Sequence, residues 1–191
     1  VPEFDHVLVI ANPTSGRGRA AERLRAVVRD LHGLGAPVEA TVTDGPGDAR
    51  ETAREAPGEK PLLVAFGGDG TFNEVMNGAD LKRAALGLIP AGTGNVLAKE
   101  LGMSLKPRHA ARQLVEGRVV RYDVGECNGQ LFACMFGAGF DARVVHMVAR
   151  GRGARMTKLR YVPYVARALW GMPRWNIRVQ VDESTLSEDA R

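Results

Sequence analysis

The sequence of 191 residues lacks the features that mark secreted and membrane-spanning proteins. Its two cysteines, Cys127 and Cys134, are too few for a disulfide framework, and we expect both to be half-buried thiols in a reducing cytoplasm. No apolar run approaches the ~20 residues that cross a bilayer, and no signal peptide opens the chain. Because the chain starts at Val1 rather than Met, we expect that some N-terminal sequence has been removed.

Acidic residues are missing from one long stretch of the chain. Between Arg143 and Val181 there are nine Arg or Lys residues and no Asp or Glu. The rest of the chain carries 17 basic and 22 acidic residues, although the net charge is +4. Such a one-sided stretch favours a partner of opposite sign, such as anionic lipid head groups, nucleic acid or phosphate.

Glycine is in excess, with 23 residues. In the first 120 residues, glycine-rich turns alternate with short apolar strands and amphipathic helices, which predicts an open parallel α/β sheet. The predicted strands are residues 7–10, 38–42, 61–66 and 86–89, and the predicted helices are residues 20–34, 47–56, 71–78, 95–101 and 107–115. Ligands of such sheets bind at the carboxyl ends of the strands, where these turns lie.

The pattern changes near Arg118. Residues 119–126 and 130–136 have the pattern of strands, and Asn128-Gly129 between them is a strong hairpin signal. This change predicts a switch from a parallel to an antiparallel sheet.

We place the domain boundary at this switch, with domains over residues 1–120 and 121–191. In the second domain we predict a helix over residues 157–169 and a strand over residues 175–181. The polar tail, residues 182–191, shows no apolar pattern.

Three turns contain residue types that bind phosphate. The first follows the first strand and consists of Asn12, Pro13, Thr14, Ser15 and Gly16. Hydroxyl groups, backbone N–H groups and the positive end of a helix dipole suit a phosphate there. An ordinary helix cap accounts for the same residues equally well.

The second turn follows the third strand and is richer in glycine. Three glycines let the backbone approach phosphate oxygens, a threonine can donate to phosphate, and an aspartate can orient a metal-bound water. An ordinary turn needs no such composition, so we interpret it as a nucleotide site. Its residues are Gly67, Gly68, Asp69, Gly70, Thr71, Phe72, Asn73 and Glu74.

The third turn repeats this logic one strand later. It contains Gly92, Thr93, Gly94 and Asn95, again between a strand and a helix. The second and third turns are therefore expected to face each other across a nucleotide.

These motifs together resemble the family of diacylglycerol kinases, bacterial lipid kinases and sphingosine kinases. The resemblance rests on NPTSG, GGDGTFNEVMNG and LGLIPAGTGNVLAKELG in this order, on Thr43 before Gly47-Asp48-Ala49, and on the segments 123–125 and 137–141. It spans the chain to about residue 180. The fold that it implies is an α/β ATP-binding domain followed by a β-sandwich domain, here only its start.

The resemblance implies roles for particular residues in an ATP- and Mg²⁺-dependent lipid kinase. The three turns and Thr43 would contact ATP. Asp69 and Asp123 would belong to an acidic network at the phosphates and Mg²⁺, although a carboxylate at a strand start such as Asp123 can also simply accept backbone N–H groups. Asp141 would lie near the lipid head group.

The chain departs from the family pattern at two places. Val96 stands where many bacterial diacylglycerol kinases have Asp, and the form around it is closer to the sphingosine-kinase-like branch. The Asp-Gly-Glu segment that holds the family's catalytic base is absent up to Arg191. We therefore expect this chain to bind ATP and to turn over poorly or not at all.

The basic stretch has two interpretations. Arg150, Arg152, Arg155, Lys158, Arg160 and Arg167 alternate with Met156, Leu159, Tyr161, Tyr164 and Trp170. Basic residues with interfacial aromatics suit an anionic membrane surface. The alternative is a solvated helix face with its apolar side chains packed inward.

The expected partners are ATP and a membrane lipid, with no nucleic acid, because the basic run lacks a recognised binding module. A homodimer is left open. The expected location is the cytoplasm, peripherally at the inner membrane surface. Two other functions fit parts of the pattern: an NAD-kinase-like enzyme, which shares the GGDGT loop, and a non-catalytic module that binds ATP or recruits to membranes.

Overall fold

The computed structural model describes residues 4–15, 20–150, 158–170, 175–181 and 184–190. The chain divides into two compact units, Val1–Cys134 and Met135–Arg191. The segment between residues 121 and 134 is grouped with the first unit. The domains 1–120 and 121–191 remain a prediction from the sequence.

A parallel four-stranded sheet forms the centre of the first unit. Its strands are β1 (His6–Ala11), β2 (Val38–Val42), β3 (Pro61–Gly67) and β4 (Ala85–Pro90), in the order β2-β1-β3-β4. Strands β1 and β3 are buried along their whole length, as expected where helices cover both faces of a sheet. The predicted open parallel α/β fold is confirmed.

Within the described part of the first unit, five helices cover the two faces of this sheet. They are α1 (Ala20–Leu31), α2 (Asp48–Arg54), α3 (Asp69–Gly78), α4 (Val96–Glu100) and α5 (Pro107–Glu116), with a 3₁₀ turn at His32–Leu34. Successive side chains of a strand point to opposite faces. Val7 and Val9 therefore pack in one core with α1 and α5. Leu8 and Ile10 pack in the other core with α2, α3 and α4.

A short antiparallel hairpin follows, with strands β5 (Gly125–Cys127) and β6 (Gln130–Phe132). Asn128 and Gly129 have φ of 51° and 73°, which confirms the predicted hairpin turn.

The strands themselves were predicted too long. Residues 121–124 form no strand, and Val119 and Val120 are 56% and 58% exposed. An alternating apolar pattern forms a strand only where the backbone finds a partner, and no described strand pairs with this segment.

The described residues of the second unit form two helices and one hairpin. These are α6 (Phe140–Arg150), α7 (Lys158–Leu169), β7 (Trp175–Val181) and β8 (Ser184–Ala190). Helix α7 and strand β7 match the predicted elements. Strand β8 was not predicted, since the tail is polar and has no apolar pattern; antiparallel pairing with β7 satisfies its backbone all the same. Helix α6 was not predicted, although Phe140, Val144 and Val148 have the i, i+4, i+8 spacing that signals a helix.

Candidate functional site

The three glycine-containing turns lie where the topology of the first unit opens a crevice. Strands β1 and β3 are parallel neighbours, but the helix after β1 packs on one face of the sheet and the helix after β3 packs on the other. Chain ends that diverge in this way leave a crevice at the carboxyl edge of the two strands. The first turn follows β1, the second follows β3, and the third follows the adjacent β4.

Asn12 connects the first turn to the second. Its Oδ1 accepts hydrogen bonds from the backbone N–H and the hydroxyl of Thr14, at 3.0 and 2.7 Å. Its Nδ2 donates to Oγ1 of Thr71 at 3.3 Å. The first turn is thus held in an Asx-type conformation that leaves Thr14 exposed. Gly16 lies outside the described residues.

The second turn starts a helix earlier than predicted. Helix α3 begins at Asp69 rather than at Thr71, and Gly68 is its N-cap in an extended conformation. Gly67 has to be glycine, since a Cβ there would overlap Oγ1 of Thr71. Thr71 and Phe72 are buried, and Phe72 packs in the core. Any contact of Phe72 with a ligand therefore has to come from its backbone.

The third turn is closed by one side-chain amide. Asn95 accepts a hydrogen bond from the Gly92 N–H and donates one to the Gly92 carbonyl, both at 2.9 Å. It adopts a left-handed conformation, with φ of 48° and ψ of 51°, at the N-terminus of α4. Thr93 and Gly94 between these residues are exposed. A ligand can therefore reach them from solvent.

The second and third turns touch through their glycines. A Cβ on Gly92 would lie 2.6 Å from Cα of Gly68, and a Cβ on Gly68 would lie 3.2 Å from Cα of Gly92. A backbone hydrogen bond from Ala91 to Gly67, of 2.7 Å, joins the same two segments. The two turns are therefore in direct contact; their placement across a nucleotide stays a prediction.

Asp69 is partly engaged within the protein. Its Oδ1 accepts a hydrogen bond of 3.1 Å from the backbone N–H of Leu97, so a residue of α3 caps the first turn of α4. A Cβ on Gly94 would lie 3.2 Å from Oδ2 of Asp69, which places the third turn directly beside this carboxylate. One carboxylate oxygen thus has a structural role, and the other lies at the junction of the two turns.

Thr43 and Glu74 anchor the neighbouring loop. Thr43 is 8% exposed, and both its N–H and its hydroxyl donate to the carbonyl of Ala11, at 2.9 and 3.4 Å. Oε2 of Glu74 accepts a hydrogen bond of 3.1 Å from the N–H of Gly47. The structure therefore shows loop-holding contacts for both side chains. Asn73 is exposed on the same helix.

Asp123 is not brought into the turn cluster by any described contact, and Asp141 belongs to the other compact unit. Asp123 is exposed in the segment between α5 and β5, and its side chain makes none of the hydrogen bonds or ion pairs found in the described part of the chain. Asp141 is exposed in the first turn of α6, in the second compact unit. The roles predicted for these two carboxylates stay predictions.

Asn77 is a contact residue that the sequence did not reveal. Its Oδ1 accepts from the N–H of Leu131 at 2.8 Å, and its Nδ2 donates to the carbonyl of Leu131 at 3.0 Å. Asn77 thus pairs with β6 as a neighbouring strand would. The contact joins residues 54 positions apart, and no local pattern signals such a pair.

Cys134 lies on the chain just after β6 and is exposed rather than half-buried as predicted, whereas Cys127 is half-buried. Partial desolvation raises the pKa of the Cys134 thiol, and the Asp69 and Glu100 carboxylates raise it further. The segment after the hairpin therefore lies within electrostatic reach of Asp69.

Neither a metal cluster nor a membrane-crossing helix was found within the described ranges. No group of three or more His, Cys, Asp or Glu side chains there could hold a metal ion. No helix there is long and apolar enough to cross a bilayer.

Most of the predicted basic surface falls on undescribed residues or side chains. Arg152, Arg155 and Met156 lie outside the described residues, as do the side chains of Arg150, Lys158, Leu159, Arg160 and Tyr161. Of the remaining three, Arg167 is exposed, Tyr164 is half-buried and Trp170 is 88% exposed. The membrane interpretation stays a prediction.

Comparison with known proteins gives a consistent match. The family described as "Diacylglycerol kinase catalytic domain" matches residues 6–127. A diacylglycerol kinase of Bacillus subtilis (strain 168) is 41% identical over 138 residues, which are 69% of this chain and 45% of the relative. One of Staphylococcus saprophyticus is 31% identical over 185 residues, which are 95% of this chain and 61% of the relative.

Solved structures agree with the fold. A crystal structure of a Bacillus anthracis str. Sterne protein covers 100% of this chain and 64% of its own, with a TM-score of 0.75 and 27% identity. A diacylglycerol kinase from the same organism has a TM-score of 0.72 at 24% identity and supports the fold alone. The chain spans about half to two thirds of the length of these proteins.

Proposed function

Because the chain belongs to the diacylglycerol kinase catalytic-domain family, we propose that it forms the ATP-binding part of a lipid kinase. The γ-phosphate of ATP would pass to a lipid hydroxyl, either of diacylglycerol or of a sphingoid-like lipid. The observation that carries the proposal is the contact between Gly68 and Gly92, where a Cβ on Gly92 would lie 2.6 Å from Cα of Gly68. Two bare backbone turns meet there beside the crevice between β1 and β3.

The chemistry expected of this arrangement is positioning. Phosphoryl transfer depends mainly on holding the phosphates in line and compensating their charge. Exposed Thr93 offers a hydroxyl group, and the glycine turns offer backbone N–H groups without side chains in the way. The hydroxyl of exposed Thr14 donates to Oδ1 of Asn12, so it can donate to a phosphate only by giving up that bond.

Mg²⁺ fits the proposed site through Asp69. Mg²⁺ in phosphoryl-transfer enzymes is usually held by one or two carboxylates together with substrate phosphates and water, and it offsets phosphate charge. Asp69 Oδ1 is engaged with Leu97, so Oδ2 is the oxygen that would orient a metal-bound water. Asp123 is proposed as a second member of this acidic network.

The test of ATP binding uses calorimetry on this chain with Mg²⁺. We expect binding by the wild type and weaker Mg²⁺-dependent binding by Asp69→Asn, which keeps the hydrogen-bond acceptor for Leu97 but removes the charge. Asp80→Asn is the matched control. Oδ1 of Asp80 accepts a 3.1 Å hydrogen bond from the backbone N–H of Lys82, just as Oδ1 of Asp69 accepts one from the backbone N–H of Leu97. Equal Mg²⁺-ATP affinity in all three proteins would refute the role of Asp69.

Transfer to lipid is tested with γ-labelled ATP and vesicles that contain diacylglycerol or sphingosine. We expect little turnover by this chain, because it contains no Asp-Gly-Glu segment. Robust turnover would mean that a carboxylate such as Asp69 or Asp141 serves as the base. Phosphorylation of NAD instead of lipid would favour the NAD-kinase-like alternative.

A third candidate function is a non-catalytic module that binds ATP. It is favoured by Val96, which lies at the start of α4 and is 42% exposed. Many bacterial diacylglycerol kinases, which the sequence resembles, carry a carboxylate at this position. This function predicts ATP binding without phosphoryl transfer even when the segments that follow in longer relatives are present.

Vesicle co-sedimentation tests whether the chain binds a membrane surface. The expected result is salt-sensitive binding to anionic vesicles.

A further inference from the structure

A pocket of about 280 Å³ opens at the amino edge of the parallel sheet. Among its lining residues, Lys60 directly precedes β3, Ala84 directly precedes β4, and Phe4 lies two residues before β1. The glycine turns follow the carboxyl ends of the same strands. A strand rises about 3.3 Å per residue, so the length of β3 separates the pocket from the nucleotide crevice by about 20 Å. The pocket is therefore distinct from the proposed ATP site.

One part of the pocket wall is apolar. Phe4 and Ala85 line it and also pack, partly buried, against the core formed with α1 and α5. Val119, in the irregular segment after α5, lines the pocket beside Ala84 and is 56% exposed. An apolar group in the pocket would cover these side chains, and the removal of apolar surface from water would favour its binding.

The polar part of the wall is cationic. It consists of Lys60, Lys82 and Arg83, and no acidic residue of the described chain lines the pocket. Both lysines are exposed. Their ammonium groups make none of the hydrogen bonds or ion pairs found in the described part of the chain. Both groups can therefore meet an anion without breaking a contact within the protein.

The guanidinium of Arg83 is already engaged with the protein. It donates hydrogen bonds to the carbonyls of Gly58 and Ala56, and its Nε lies 3.5 Å from Oδ2 of Asp80. Arg83 thus forms a fixed part of the wall. Its planar fork of donors is not free for a ligand.

Two carboxylates hold the backbones of the lysines. Oδ2 of Asp5 accepts hydrogen bonds from the backbone N–H groups of Glu59 and Lys60, the latter at 3.0 Å. Oδ1 of Asp80 accepts one from the backbone N–H of Lys82 at 3.1 Å. Each lysine is therefore fixed at its backbone while its ammonium group stays available.

Two available ammonium groups beside an apolar wall suit an anion that carries an apolar group. Lysine attracts phosphate as a point charge, whereas the paired recognition of a carboxylate uses an arginine fork, and that of Arg83 is occupied. A phosphate monoester carries about −1.5 to −2 charges at neutral pH, which matches two ammonium groups. We propose that the pocket binds a phosphate monoester with an apolar substituent. Lys60 and Lys82 hold its phosphate, and the apolar wall covers its substituent.

This proposal goes beyond the proposed function. Its ligand class has two sources: phosphorylated lipids, which are the products of a lipid kinase, and small soluble phosphate esters. Only the first source rests on the proposed function. The pocket itself is argued from its own residues.

The test is an NMR titration of this chain with phenyl phosphate, and inorganic phosphate is the reference without an apolar group. The backbone amides of Lys60, Lys82 and Ala85 report on the pocket. Those of Gly68 and Gly92 report on the nucleotide crevice. We expect phenyl phosphate to shift the pocket amides and to bind there roughly tenfold more tightly than inorganic phosphate, because its ring removes apolar surface from water.

Substitutions at exposed positions test each part of the wall. Lys60→Gln and Lys82→Gln should each weaken phenyl phosphate binding at the pocket roughly threefold. Val119→Ser should weaken phenyl phosphate and leave inorganic phosphate unchanged. Lys106→Gln is the matched control, because Lys106 is an exposed lysine at the N-cap of α5, at the other end of this helix from Val119. We expect it to bind phenyl phosphate as the wild type does.

Equal affinity for phenyl phosphate and inorganic phosphate at the pocket would overturn the proposal, since it would show only a general attraction to surface lysines. Shifts confined to the glycine turns would overturn it too, as would equal weakening by Lys106→Gln.

Dihexanoyl phosphatidate, used below the concentration at which it forms micelles, distinguishes the two sources. Binding at the pocket amides at least as tight as that of phenyl phosphate supports a phosphorylated lipid as the ligand. Tighter binding of phenyl phosphate supports the pocket with a soluble ester as its ligand. Failure of the chain to bind ATP in calorimetry would refute the proposed function alone, because the pocket is titrated without ATP.

Discussion

Gly92→Ala directly tests the contact between the second and third turns. The added Cβ would lie 2.6 Å from Cα of Gly68 and 2.8 Å from Oδ1 of Asn95. Carbon atoms pack best at about 3.5–4.0 Å, so the two turns have to separate by roughly 1 Å. The neighbour is backbone rather than a flexible side chain, and rotamer changes cannot absorb this movement.

The expected magnitude follows from the cost of overpacking, which is about 1–3 kcal/mol. If the strain is relieved by separation of the turns, an ATP site formed by both turns weakens by a similar amount. At about 1.4 kcal/mol per factor of ten, the affinity for ATP falls roughly 5- to 150-fold. The measurement is calorimetric titration with Mg²⁺-ATP, accompanied by urea unfolding of the same samples.

Gly45→Ala is the control for Gly92→Ala. A Cβ at Gly45 has no atom within 4 Å, and the residue does not have a positive φ. The variant undergoes the same chemical change and is expected to bind ATP as the wild type does. The reasoning is refuted if Gly92→Ala folds and binds ATP within a factor of about two of Gly45→Ala.

Three further predictions concern stability. Asn95→Ala should lower the free energy of unfolding more than Asn95→Gly, by about 1 kcal/mol, since φ is 48° there; equal values in urea titrations would contradict this. Gly78→Ala should lower the melting temperature, because its Cβ would overlap the Arg50 carbonyl oxygen; an unchanged value would show that α2 and α3 separate freely. The hydrogen bond from Arg108 holds the pKa of Asp30 below its usual range. Ionised Asp30 therefore stabilises the fold at pH values above its unfolded pKa, near 3.8, and this stabilisation is lost as the pH falls through its lower, folded pKa. Arg108→Gln should reduce the loss of unfolding free energy at acid pH. Urea unfolding at several pH values tests this, and an unchanged pH dependence would refute the role of the Asp30–Arg108 bond.

The parts of the fold that could be predicted are those where local pattern and tertiary packing agree. The strands near Val7 and Pro61 are apolar runs buried on both faces, and such runs predict parallel strands. Helix α3 begins two residues earlier than predicted. Gly68 caps it in an extended conformation, and helix propensities do not describe such a cap. Segment 119–124 was predicted as a strand because alternation cannot show whether a partner strand is available.

The candidate site shows the same division. The order of glycines and threonines after successive strands is enough to predict turns that face each other, since the carboxyl ends of parallel strands share one edge. The bonds of Asp69 to Leu97 and of Asn77 to Leu131 could not be predicted, because they join residues 28 and 54 positions apart. Such contacts depend on how helices pack after the sheet has formed.

The strand order β2-β1-β3-β4 also has a consequence for how the chain folds during synthesis. β1 and β2 can pair as soon as residue 42 has emerged, but the second edge of β1 stays open until β3 is made. An open apolar edge of this kind invites association with other chains. The backbone N–H of Asn12 also gains its acceptor, the Phe66 carbonyl, only when β3 has been made. The crevice between β1 and β3 is therefore absent from any folding intermediate that lacks β3, so ligand binding can select only chains that have closed this edge.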